Sequence, residues 1–298
     1  MNADFSGLGV ALATPFTPEG TLDLPAYRNL VRRVAAHADV LVVLGTTGEA
    51  PTIHGTERDT LIAATLEEAG GKRVVAGTGS NDTAAAAAMT RRAQELGVHG
   101  ALVVTPYYNK PTPRGLAAHY AALADAAPGL PLIAYNVPGR TGLNVLPGGL
   151  ALLWENPQVV AVKESSGNLA QIAEIARTLP PGKQLISGDD GFALASIAVG
   201  AVGLTSVLGN LLPRESKALV DLARAGRMEE ARALNARLLP LMDALFLESS
   251  PGPLKAGLRL MGLAGDTLRL PLVPPEPATV GRMKAALRGL GVDLPGVE

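Results

Sequence analysis

Eight short apolar runs, each followed by a stretch of helical periodicity, recur along this chain, and few folds accommodate that rhythm. The runs lie at residues 9–13, 40–44, 73–77, 100–104, 131–135, 159–163, 184–188 and 203–207. They return roughly every 20–33 residues, room for a strand, a helix and two short connections. Runs of this length bounded by turn residues read as strands buried on both faces, as in a parallel sheet. Helical patterns fill the intervals at 24–36, 56–69, 82–96, 113–126, 147–154, 169–179, 190–199 and 213–225. Pro113, Pro147 and Pro213 suit a first helical turn, and Asp82, Asn168 and Asp190 suit N-caps. Eight such units predict an α/β fold, a (β/α)8 TIM barrel. A doubly wound sheet is the runner-up, but it needs fewer strands and a dinucleotide or phosphate loop.

After Ala225 the strand signals stop. Helical patterns at 227–246, 252–261 and 278–290, the last two joined by a proline-rich 270–277 segment, predict a C-terminal helical appendage. The expected division is 1–225 for the barrel and 226–298 for the helical region. With 298 residues and 47% hydrophobic content, a sizeable core is available and disorder is excluded as the main state. A net charge of -1 gives no electrostatic case for nucleic acid. The absence of cysteine removes thiolate catalysis and disulfides. His37, His54, His99 and His119 lack metal-ligand spacing, so no metal is expected. Every apolar run is interrupted by glycine, proline or charge before it could span a bilayer, and residues 1–5 lack a basic region leading into an apolar one. A soluble cytoplasmic protein is expected.

Polar residues cluster directly after the strands, where barrel enzymes keep their chemistry. In Val159-Val160-Ala161-Val162-Lys163-Glu164, alternation places Ala161 and Lys163 on one face and Val160 and Val162 on the other. Lys163 then ends a strand above a small residue and points into the barrel mouth, although alone it reads more readily as a lysine ending a strand in solvent. Gly45-Thr46-Thr47-Gly48-Glu49 offers hydroxyls and backbone N–H groups to a carboxylate. Gly77-Thr78-Gly79-Ser80-Asn81 is only half of a dinucleotide fingerprint, with Asp82 at the third glycine position, and that reading fails. Tyr107 and Tyr108 follow the fourth run, and Tyr135 ends the fifth. Arg140, shortly after Tyr135, suits bidentate binding of a carboxylate.

Taken together, Gly45-Thr46-Thr47-Gly48-Glu49, Thr105-Pro106-Tyr107-Tyr108-Asn109, Tyr135-Asn136-Val137-Pro138-Gly139-Arg140-Thr141-Gly142, Val162-Lys163-Glu164 and Ser187-Gly188-Asp189-Asp190 resemble the dihydrodipicolinate synthase/N-acetylneuraminate lyase family. The resemblance spans nearly the whole chain. It implies a Schiff-base aldolase on a barrel with C-terminal helices, no cofactor, and a homotetramer built as a dimer of dimers. It implies that Lys163 forms an imine with pyruvate and that Tyr135, Thr46 and a neighbouring subunit's Tyr108 relay protons. Thr47 is implied in holding the pyruvate carboxylate, Gly188 in facing the nucleophile with its backbone carbonyl, and Thr205 in binding substrate. Arg140 stands where members that condense pyruvate with L-aspartate 4-semialdehyde, in lysine and diaminopimelate biosynthesis, hold the second substrate's carboxylate. Gly139 departs from the more usual serine before that arginine. An aldolase cleaving a 4-hydroxy-2-oxo or 2-keto-3-deoxy acid is the same-fold alternative. A non-catalytic regulator or binding protein is the alternative of another class, disfavoured by the presence of both Lys163 and Tyr135.

Lysine-sensitive relatives bind that inhibitor with a glutamate and two histidines, whose positions here hold Ala85, Gly55 and Arg58. Asn81 and Tyr107 remain, and Asp82 is the one substitute carboxylate nearby. Desolvating the amine of lysine without an anionic partner is costly, so insensitivity to lysine is expected.

Overall fold

The eight apolar runs become the eight staves of a closed parallel barrel in a computed structural model that describes residues 3–296. They are β1 (Gly7–Ala11), β2 (Val40–Val43), β3 (Arg73–Gly77), β4 (Gly100–Val104), β5 (Leu132–Asn136), β6 (Val159–Glu164), β7 (Gln184–Ser187) and β8 (Gly203–Ser206). The barrel closes where Gly7 of β1 sits opposite Gly203 of β8. A Cβ on Gly203 would lie 2.1 Å from the Gly7 carbonyl oxygen, so closure at this corner requires glycine. That closure excludes the doubly wound sheet.

The helices are α1 (Leu24–Ala35), α2 (Thr56–Glu68), α3 (Thr83–Glu95), α4 (Pro113–Ala126), α5 (Pro138–Thr141), α6 (Pro147–Trp154), α7 (Leu169–Thr178), α8 (Ala193–Ala198) and α9 (Pro213–Arg224). Beyond them lie α10 (Met228–Ala244), α11 (Gly252–Leu260) and α12 (Pro277–Gly289). Asp82 accepts a hydrogen bond from the Ala84 N–H and Asn168 from the Gln171 N–H, as N-caps do. Asp190 does not cap α8. Its buried carboxylate accepts from the Val207 and Leu208 N–H groups and the Ser206 hydroxyl, fastening the β7 loop to the β8 loop.

Strand alternation sorts the apolar residues into two layers. Leu41, Val74, Val103, Val162 and Leu204 join the mantle beneath the helices. Val42, Val75, Leu102, Ile133, Ala161 and Ile186 fill the barrel interior. Two local departures have clear causes. Opposite Leu132-Ile133 the register shifts, so Val160 is an extra residue in β6 and packs towards the interior rather than beside Val162. β1 starts two residues earlier than its apolar run suggests and ends sooner, because the Ala13 N–H is taken by the Asn210 side chain at 3.0 Å.

The C-terminal helices are tied to the barrel by a buried ion pair. Lys255 of α11 pairs with Glu49, just beyond β2, and both side chains are 1% exposed. The Lys255 ammonium also donates to the Thr267 carbonyl at 2.8 Å and lies 4.0 Å from the Phe16 ring centroid. Arg269 covers the other contacts: its N–H donates to Glu49, and its guanidinium pairs with Glu57 at 2.6 Å and donates to the carbonyls of Gly20 and Thr52. Burial pulls the Lys255 amine down to about 8, with Glu49 opposing that shift. Removing one member of such a pair strands a charge in an apolar site. Lys255→Ala is expected to lower the stability to urea by about 3–5 kcal/mol. Lys255→Met combined with Glu49→Gln should recover most of that loss, because the remaining amide still accepts from the Arg269 N–H. Equal destabilisation of the single and double variants would contradict this account.

Candidate active site

Lys163 stands one residue from the end of β6, opposite Tyr135 on β5 and Ile186 on β7. Because the bulge lies upstream, Ala161 and Lys163 keep the inward face, and Ala161 is fully buried beneath the lysine. The Lys163 side chain is 5% exposed, and its ammonium lies 4.1 Å from the Tyr135 ring centroid. Its cross-strand neighbours are thus an aromatic ring and an isoleucine, rather than carboxylates. Gly188 completes the slot. A Cβ there would come within 2.8 Å of Lys163 Cε and 2.0 Å of the Ser165 hydroxyl, so only glycine lets the lysine stem lie in this position. An inward primary amine can serve as an imine-forming nucleophile, and the adjacent phenol can carry protons to and from it.

The loop after β2 brings in the threonines. The chain leaves the strand through Leu44, at φ 58°, and makes one tight turn over Thr46–Gly48. Thr47 is buried, and the Thr14 hydroxyl donates to the Gly48 carbonyl at 2.8 Å, holding the turn against the end of β1. Glu49, also left-handed at φ 54°, turns its carboxylate away from the mouth and into the pair with Lys255. Thr46 and Tyr135 line a common cavity of about 340 Å³. Thr205 of β8, opposite Gly9, is buried on the inner face.

Two outer loops carry the remaining candidates. Tyr108 is 89% exposed and held at φ 71°, a conformation that costs a non-glycine residue energy and persists where structure over-determines it. Its N–H donates to the Thr141 carbonyl at 3.3 Å, so this loop leans on the one bearing Arg140. Arg140 lies in α5, exposed, and its guanidinium donates only to the Ser250 carbonyl, at 3.4 Å, among the hydrogen bonds of the described residues. The guanidinium fork therefore has donors available for an anion. The structure brings Lys163 against Tyr135 and Gly188, and Thr46 shares a cavity with Tyr135. Tyr108 and Arg140 sit on adjoining loops, with Thr47 and Thr205 around the strand ends.

Of the residues expected around a regulatory pocket, Arg58 and Tyr107 line the same 340 Å³ cavity, whereas Asn81, Asp82 and Ala85 do not. Arg58 donates to the Gly77 carbonyl at 2.7 Å and the Ala50 carbonyl at 3.4 Å. Burial pulls its guanidinium below the ordinary arginine value. Asp82 is occupied in capping α3.

Motif patterns do not reveal the roles of two charged residues, Glu49 at the end of the Gly-Thr-Thr-Gly turn and Glu164 beside Lys163. Only Glu164 offers a signal: as the residue after an inward Lys163 it faces the packed mantle, where a charge needs a dedicated partner.

The model of the dihydrodipicolinate synthetase family matches residues 4–289. The 4-hydroxy-tetrahydrodipicolinate synthase of Cyanothece sp. is 42% identical over 291 residues, 97% of this chain and 99% of the relative. The dihydrodipicolinate synthase structure from Thermotoga maritima superposes with a TM-score of 0.93 at 39% identity, covering 97% of this chain and 99% of that one. The Acinetobacter baumannii enzyme, solved in complex with pyruvate, gives a TM-score of 0.94 at 36% identity over 97% of this chain and all of the other. A barrel with an inward lysine beside a tyrosine, matched along nearly its whole length by these proteins, belongs to the dihydrodipicolinate synthetase family.

Proposed function

We propose that this protein is a Schiff-base-forming lyase, a 4-hydroxy-tetrahydrodipicolinate synthase, condensing pyruvate with L-aspartate 4-semialdehyde for lysine and diaminopimelate biosynthesis. The observation that carries this reading is the Lys163–Tyr135 contact at the strand ends, with the Arg140 guanidinium presented on the adjoining loop. The naming of the Cyanothece relative and the pyruvate held by the Acinetobacter baumannii enzyme support it.

The chemistry follows from these groups. The Lys163 amine attacks the keto carbon of pyruvate, and loss of water gives an imine. The protonated imine draws electrons from the adjacent methyl group, which loses a proton to become an enamine carbon. That carbon attacks the aldehyde of aspartate semialdehyde, whose carboxylate Arg140 holds. The substrate's amine then adds to the imine carbon and expels Lys163, closing the six-membered ring and restoring the free enzyme. Tyr135, beside the Lys163 amine, moves the protons, with Thr46 as relay. Thr47, Gly188 and Thr205 hold the pyruvate end.

Tyr108, exposed in the single chain, completes the relay when a second copy supplies it. The active unit is then at least a dimer, and a dimer of dimers is the assembly proposed here. Among the described residues no helix is long and apolar enough to cross a membrane, and a cytoplasmic enzyme is proposed.

Arg140→Ala is expected to lower kcat/KM for aspartate semialdehyde by a factor equivalent to about 2–5 kcal/mol. Pyruvate should still form its imine. Following the cyclised product measures the first and borohydride trapping on Lys163 the second: wild-type efficiency in the variant would favour the aldolase that cleaves a 4-hydroxy-2-oxo acid.

L-lysine is expected to leave the initial rate nearly unchanged at millimolar concentration. Arg58 brings like charge to the cavity, and Asp82 is committed to its helix. Half-inhibition below about 1 mM, some 4 kcal/mol of binding, would contradict this expectation.

A further inference from the structure

Glu164 is a buried carboxylate that the reaction above does not use. It follows Lys163 directly, so its side chain leaves β6 on the opposite face, and the residue is 2% exposed. Its partners are hydrogen-bond donors. The Ser166 N–H donates to Oε1 at 2.8 Å, and the Asn136 amide donates to Oε2 at 2.9 Å. Asn136 is also the register partner of Glu164 across β5 and β6.

The orientation of Asn136 is fixed from its other side. Its Oδ1 accepts from the Val145 N–H at 2.9 Å, so its NH2 group must face Glu164 and the Asn144 side-chain Oδ1. Asn144 in turn exchanges hydrogen bonds with Gln171 of α7 at 2.9 and 3.0 Å. Residues 137–145 therefore leave and rejoin the body of the protein at two points, Asn136 and Asn144-Val145, both drawn to the end of β6. That loop carries Arg140, and its Thr141 carbonyl accepts from the Tyr108 N–H.

We propose that Glu164 is a positioning residue for the second substrate: through Asn136 and Asn144 it fixes the loop that presents Arg140 and supports Tyr108, while Lys163, on the other face, serves the first substrate. The inference rests on Arg140 holding the carboxylate of aspartate semialdehyde. The chemistry at position 164 is restrictive. Both partners donate, so the site needs two acceptor oxygens at glutamate length. Glutamine keeps the shape but turns an NH2 group towards a donor, leaving buried polar groups unpaired.

Three readouts on Glu164→Gln test the proposal: hydrogen exchange of the 137–145 amides, KM for aspartate semialdehyde, and borohydride trapping of pyruvate on Lys163. Exchange across 137–145 is expected to quicken and KM to rise about tenfold or more, with pyruvate trapping within about twofold of wild type. Asn144→Ala, at the far end of the same bonds, should reproduce that selective pattern. Unchanged exchange and KM in Glu164→Gln would overturn the proposal. So would a loss of pyruvate trapping in step with turnover, the mark of a merely structural role. If wild type failed to use aspartate semialdehyde at all, the substrate assignment would fall, and the exchange of 137–145 would then decide alone whether Glu164 fixes the loop.

Discussion

The buried ion pair between Glu49 and Lys255 governs how the site is assembled. Glu49 ends the tight turn that holds Thr46 and Thr47, and its carboxylate points away from the mouth to meet a lysine from the C-terminal helices. Taking two charges out of water is expensive, and the cost is met only if geometry and additional hydrogen bonds are good. Here the Thr267 carbonyl, the Arg269 N–H and the Phe16 ring complete the environment. The helical region is thus a brace beneath the β2 turn. Glu49 takes a left-handed backbone conformation, φ 54°, where the turn hands its carboxylate to Lys255.

The barrel's alternation divides labour between adjacent residues. Lys163 faces inward, against Tyr135 and beside the slot left by Gly188. Glu164 faces outward and accepts from Asn136 at the end of β5, which in turn accepts from Val145 at the far end of the loop. In the proposed reaction, two consecutive side chains of one strand address both ends of a bisubstrate site, one covalently and one through a chain of amides. The strand can do this because its bulge lies upstream, at Val160, and leaves the pairing of Tyr135 with Lys163 and of Asn136 with Glu164 in register.

Much of this was legible in the sequence, for physical reasons. Parallel strands buried on both faces are continuous apolar runs, so the eight staves and their order stood out. Local rules placed the caps at Asp82 and Asn168. What escaped was long-range. Asp190 looked like a helix cap because its neighbours suited one, but its carboxylate reaches 17 residues along the chain to the Val207 N–H. The end of β1 depends on Asn210, far away in sequence. The shift that turns Val160 inward needs the partner strand, since periodicity within one strand carries no information on register. Glu49 and Lys255 lie too far apart for spacing to link them. The resemblance to a family brought Lys163, Tyr135 and Arg140 forward together, whereas Glu164 emerged only once its hydrogen-bond partners were in place.

Reductive trapping tests the central claim most directly. Borohydride added in the presence of pyruvate converts an enzyme-bound imine into a stable secondary amine, and peptide mass spectrometry locates it. One reduced pyruvyl group per chain on Lys163, abolished in Lys163→Ala, is the predicted result. Labelling at Lys110 or Lys255, or no label on a folded protein, would contradict it.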